Sequence, residues 1–127
     1  MSGAVKSTPE VLSQPDGMRS RPIDLVYLSR QTLGDPGLET EILSLFSEMA
    51  AAYLKKVTDS GDPAEIAIGL HSLKGAAAGI GAGSLAAEAK AAESEMQETG
   101  ALSAERLGDL AIAVEEVRAF ISGLLGK

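Results

Sequence analysis

The chain has 127 residues, room for one domain with a modest core but not for a nucleotide-binding domain beside it. It is 45% apolar, only 3% aromatic and free of cysteine, which excludes disulfide staples, Cys-based zinc sites and Cys nucleophiles and leaves burial to aliphatic side chains at helical spacing. A formal net charge of −7, with eleven basic residues in no dense run, argues against nucleic acid as a partner, and the lack of any apolar run near the roughly 20 residues that span a bilayer argues for a cytoplasmic protein with no membrane contact.

Residues 1–20 mix Ser, Pro, Gly and Lys without periodicity and read as a disordered N-terminal tail, leaving 21–127 as the folded domain. A short first helix fits Ile23 to Leu33, with Gly34 suited to a positive-φ cap. Asp35 and Pro36 then supply an N-cap and first helical residue for a second helix, with apolar positions Leu38, Ile42, Leu45, Phe46, Met49, Tyr53, Leu54 and Val57. Gly61 closes it, and Asp62, Pro63 and Glu65 open a third helix with N-cap, first-position proline and capping-box glutamate.

The third helix should run to Gly79 or Gly81, before Ser84 begins a fourth with Leu85, Ala89, Ala92 and Met96 inward. Gly100 ends the fourth and Ser103 caps the fifth, where Leu107, Leu110, Val114, Val117, Ile121 and Leu124 recur at alternating steps of three and four. Short connections between amphipathic helices predict an all-α fold: an antiparallel up-down-up-down four-helix bundle with the short N-terminal helix across one end.

The single histidine, His71, lies in the third helix. At roughly 100° per residue, Ile66, Leu70, Leu73, Ala77 and Ile80 form a stripe about 80° wide whose centre is about 140° from His71. The ring therefore points to solvent, with Lys74, Gly75 and Ala78 within about 60° of it. A neutral imidazole near pH 7 is a good nucleophile, and small neighbours leave a path for a partner's phosphoryl group. Lys74 can offset charge on that group. Gly75 costs the helix about 0.5 to 1 kcal/mol relative to alanine, a cost that suggests steric clearance.

The segment His71-Ser72-Leu73-Lys74-Gly75, followed by Ala78, Ile80, Gly81, Ala82, Leu85 and Glu93, resembles the histidine-containing phosphotransfer (HPt) domain family of bacterial two-component phosphorelays. The motif is confined to residues 71 to 85, although the architecture fits from about 22 to 125. The resemblance implies His71 as phosphoryl acceptor, Lys74 as a nearby stabilising cation and Gly75 as the residue that gives access. A position often polar in that family is Gly79 here. The implied partners are receiver domains of response regulators, or the receiver of a hybrid histidine kinase. Gly75, Ala78, Gly79 and Ala82 are expected to be exposed docking residues on a monomer. The chain would need no cofactor or metal of its own, the Mg²⁺ lying in the receiver, and no ATP-dependent kinase activity.

Blander readings compete with this one. A core histidine would sit within the apolar stripe, whereas His71 lies well off it. The glycine-rich stretch Gly75 to Gly83 lacks the Gly-Lys-Ser/Thr ending of a P-loop and follows a helix rather than a strand. The acidic run Glu93 to Glu98 reads most simply as a solvated face, because it lacks metal-site spacing. A sensor kinase dimerisation domain would follow its histidine with an acidic residue and a proline, but Ser72 follows here and no proline occurs after Pro63. The main alternative is a non-catalytic helical docking or scaffold protein for receiver domains.

Overall fold

A computed structural model describes residues 21–126; the segment read as a tail lies outside the described residues. The described residues form five helices and no strand: α1 (Leu25–Gln31), α2 (Pro36–Asp59), α3 (Pro63–Gly79), α4 (Gly83–Thr99) and α5 (Ala104–Leu125). Short polar side chains start four of them by accepting from backbone N–H groups that the first turn leaves unpaired. Asp24 accepts from Tyr27 at 3.0 Å, Asp35 from Gly37 and Leu38 at 3.0 and 3.2 Å, Asp62 from Ala64 at 3.0 Å, and Ser103 from Arg106 at 3.1 Å. Pro36 and Pro63 stand first in α2 and α3, where a missing N–H costs nothing.

Several boundaries differ from the sequence expectation. α1 is shorter than the expected Ile23 to Leu33, because Asp24 caps its start and it ends at Gln31. Glu65 does not close a capping box; the Asp62 N–H donates instead to Ser60 Oγ at 3.1 Å. α4 begins at Gly83, one residue before Ser84, behind an Ala82 cap with no side-chain bond.

Helices α2 to α5 pack in a ring, each against its neighbours in chain order and α5 closing on α2, as an up-down-up-down bundle requires. Leu70, Leu73, Ala77 and Ile80 from α3 and its cap, Leu85, Ala89, Ala92 and Met96 from α4, and Leu110, Val114, Val117 and Ile121 from α5 are buried as expected. Leu124 is exposed. On α2 the seam is Leu43, Phe46, Ala50 and Val57, whereas Leu38 and Leu45 are exposed. The physical reason is angular: Leu38 and Leu45 project more than about 100° away from that seam.

Helix α1 crosses the end of the bundle at the α3–α4 turn. The Asp24 N–H donates to Gly81 O at 2.9 Å. Gly81 has φ +83°, and a Cβ there would stand 3.1 Å from Asp24 O and 3.0 Å from Tyr27 Cδ2, so both conformation and close approach demand glycine. At the other end of α1, Thr32 Oγ1 donates to Leu28 O at 3.1 Å and to Glu39 Oε2 at 3.0 Å, tying α1 to the start of α2.

The α2 seam gives a direct test. Leu43→Ala should cost about 2 to 5 kcal/mol of unfolding free energy in denaturant titration. Leu45→Ala should stay within about 0.5 kcal/mol of the parent. Similar losses from the two would place the seam wrongly.

Candidate functional site

His71 sits on the solvent face of α3, opposite its buried residues, with its side chain 71% exposed. The ring is nevertheless held. Nδ1 lies 3.0 Å from Glu93 Oε2 of α4, and the second oxygen of that carboxylate, Oε1, lies 2.8 Å from Lys74 Nζ. Glu93 is thus shared between an imidazole and an ammonium, and its side chain is only 16% exposed. It stands beside Ala92 and one turn after Ala89, at the edge of the buried row that α4 presents to the core.

The charge states follow from this geometry. The Lys74 ammonium, hydrogen-bonded to it, holds the Glu93 carboxyl below the usual carboxylate range; burial opposes this and the bond to His71 reinforces it. An ionised carboxylate can only accept hydrogen bonds, so Nδ1 must be the donor and carry hydrogen. In the neutral ring the lone pair then belongs to Nε2, for which no hydrogen-bond partner exists among the described residues.

The surroundings are open. Gly75, Ala78 and Gly79 are exposed, and a methyl group added at Gly75 or Gly79 would meet no atom of the described residues within 4 Å beyond the helix's own backbone and its chain neighbours. Ala82 departs from expectation: it is fully buried. The positive φ of Gly81 turns the chain inward there, and the Ala82 N–H donates to Ala77 O at 2.8 Å, so Ala82 offers no surface to a partner. Among the described residues no group of three or more His, Cys, Asp or Glu could hold a metal ion. No described helix is long and apolar enough to cross a membrane.

The acidic run of α4 is not simply a solvated face. Glu93 binds His71 and Lys74, while Glu95 accepts from Arg106 Nε at 3.2 Å and from the Ser103 N–H, bridging α4 to the start of α5. The residue that sequence reasoning undervalued is therefore Glu93. Its signal was positional, a carboxylate bordering a row of alanines on the helix that follows the histidine.

The lowered Glu93 pKa has a testable pH signature. Its folded value lies below the unfolded one, so the stabilisation is complete above the ordinary carboxylate pKa of about 4.3 and is lost as pH falls through the lower folded value. Glu93→Gln should therefore be less stable than the parent at pH 7, by about 1 kcal/mol, because the trio lies at the solvent edge of the α3–α4 seam and water screens it in part. That gap should close as pH drops below about 4. A gap that widened with acid would contradict an ionised, ion-paired Glu93.

Comparison with known proteins bears on this arrangement. The sequence model of the Hpt domain family matches residues 41–120, more than half of the chain. A rice protein assigned as a histidine-containing phosphotransfer protein superposes with a TM-score of 0.59 at 19% identity, over 87% of this chain and 79% of that one. A histidine-containing phosphotransfer protein from maize gives a TM-score of 0.59 at 22% identity, over 86% of this chain and 82% of that one. At these identities the two likenesses establish the helical-bundle fold. No curated protein sequence matches. The matched segment contains His71, Lys74, Gly75 and Glu93, and the chain belongs to the Hpt domain family, whose members carry phosphoryl groups on histidine in phosphorelays with receiver domains.

Proposed function

We propose that His71 takes a phosphoryl group from the aspartyl phosphate of one receiver domain and yields it to the aspartate of another. The observation that supports this best is the exposed imidazole whose Nδ1 is committed to an ionised carboxylate, which leaves the Nε2 lone pair available. The Nε2 lone pair forms a bond to phosphorus while the bond from phosphorus to the aspartyl oxygen breaks, its electron pair leaving on the receiver carboxylate. The second transfer reverses these steps. Neither needs ATP, and the Mg²⁺ that the chemistry requires belongs to the receiver. The donor can equally be the receiver of a hybrid histidine kinase.

Lys74 acts by charge. Its ammonium stands one turn from the ring and can share its donors between Glu93 and an arriving phosphoryl oxygen. Gly75 acts by absence. Among the described residues no atom outside the helix's own backbone lies within 4 Å of where its Cβ would be, so none of them requires glycine there and the helix gives up about 0.5 to 1 kcal/mol for it. Clearance for a docking receiver accounts for that loss. Gly75, Ala78 and Gly79 form the near part of the docking surface, in a small transient interface on a cytoplasmic monomer built from residues 21–127.

Incubation with a phosphorylated receiver should label the parent protein and leave His71→Gln unlabelled, and ATP alone should label neither. Equal labelling of parent and variant would overturn the assignment, while receiver binding without any transfer would favour the scaffold reading. Gly75→Ala should raise stability by about 0.5 to 1 kcal/mol. Gly75→Gln should keep the fold by circular dichroism yet slow transfer by about tenfold or more, since a misplacement near 1 Å already costs about 10²-fold.

A further inference from the structure

The same carboxylate that orients the resting ring bears on the phosphorylated one. We infer that Glu93 keeps the Nδ1 proton in place throughout transfer, so that phosphorylated His71 persists as an N-phosphoimidazolium paired with the Glu93 carboxylate. This rests on the reading of His71 as acceptor and specifies its chemistry.

The proton balance is simple. Before transfer the neutral ring carries hydrogen on Nδ1 and a lone pair on Nε2. As Nε2 bonds to phosphorus and the receiver carboxylate departs with its electron pair, positive charge develops on the ring, 3.0 Å from Glu93 Oε2. If Nδ1 keeps its proton, no solvent exchange is needed in either direction. In the return step the receiver carboxylate attacks phosphorus, the Nε2–P electron pair goes back to Nε2, and a neutral imidazole leaves.

Without the carboxylate, Nδ1 can lose its proton to water. The leaving group would then be an imidazolide anion, a far poorer one, and onward transfer must wait for reprotonation. A carboxylate stabilising an imidazolium this way is the role that the aspartate plays toward the histidine of a Ser-His-Asp triad.

The charged groups around the ring are few. Lys74 on its own helix and Glu93 on α4 are in contact with each other, and among the described charged residues it is Glu93 that touches the ring. Lys90, one turn before Glu93 on α4, is exposed. From α2, Lys56 lies against Gly69, which projects to the other side of α3 from His71.

The experiment uses the whole chain, phosphorylated on His71 with phosphoramidate as a small-molecule donor. Nitrogen-15 NMR of the labelled histidine follows the Nδ1 proton, and transfer to an unphosphorylated receiver is timed from pH 6 to 9. In the parent, Nδ1 should stay protonated to a pH at least about one unit above that in Glu93→Gln, a tenfold difference in proton affinity. The parent's transfer rate should be flat over the interval in which the variant's rate falls about tenfold per pH unit.

A merely structural role for Glu93 would lower the rate equally at every pH and leave the profile's shape unchanged. Phosphorylated His71 with coincident Nδ1 titrations in the two proteins would overturn this inference alone. No phosphoryl group on His71 from either phosphoramidate or receiver would overturn the parent reading and this one with it. Because Glu93→Gln also releases Lys74, the double variant Glu93→Gln/Lys74→Met is the control. It should titrate like Glu93→Gln; a return to the parent's midpoint would assign the effect to Lys74 and refute the inference.

Discussion

Everything specific about this bundle depends on one contact across the α3–α4 seam, the carboxylate of Glu93 reaching both His71 and Lys74. The seam permits that reach because α4 faces the core with alanines. Ala82, Ala89 and Ala92 are fully buried, with Leu85 and Met96 the larger side chains of the row. Small residues bring the two helix backbones near enough for a side chain on one to span to the surface of the other. Bulkier residues in that row would keep the hydrophobic core and lose the span.

Magnitudes separate the purpose of this trio from its contribution to stability. Ion pairs at a solvent edge are worth about 0 to 1 kcal/mol, less than the roughly 2 to 5 kcal/mol of truncating one buried leucine in the core. The trio is therefore a poor fastening for the fold. Its effect is to choose a tautomer, since a carboxylate held ionised by an ammonium leaves the imidazole only one way to hydrogen-bond. Gly75 points the same way: it weakens the helix locally, and among the described residues nothing packs into the space it leaves. Two features that the fold does not need coincide on one patch around the only histidine.

Much of this was readable in the residues. The outward direction of His71 followed from its angle to Leu70, Leu73 and Ala77, because the helical period is rigid enough to carry over several turns. The caps at Asp35, Asp62 and Ser103 were readable too, since their chemistry is local. What failed were choices that depend on a second helix. Leu43 and Leu45 are equally apolar, and only the positions of α3 and α5 decide which is buried. Ala82 looked like one more small residue near the histidine until the backbone turn at Gly81 directed it inward. Glu93 figured in the resemblance, yet its side chain read as solvated, because its partner lies 22 positions away and no helical period links them.

The turn at Gly81 has a further consequence. His71 precedes it by ten residues and Glu93 follows it by twelve, so the two side chains meet only because two nearly equal arms of a hairpin fold back to the same height. One extra residue between Ile80 and Gly83 would rotate α4 by about 100° and shift it by about 1.5 Å along its axis. Either the inward row would keep its place and the carboxylate would swing away, or the carboxylate would stay and the row would leave the core. Elsewhere in the chain a connection can lengthen at small thermodynamic expense. Here loop length and the His71–Glu93 contact are set together, and a chain that kept every residue of the motif but changed that spacing would keep the histidine and lose its partner.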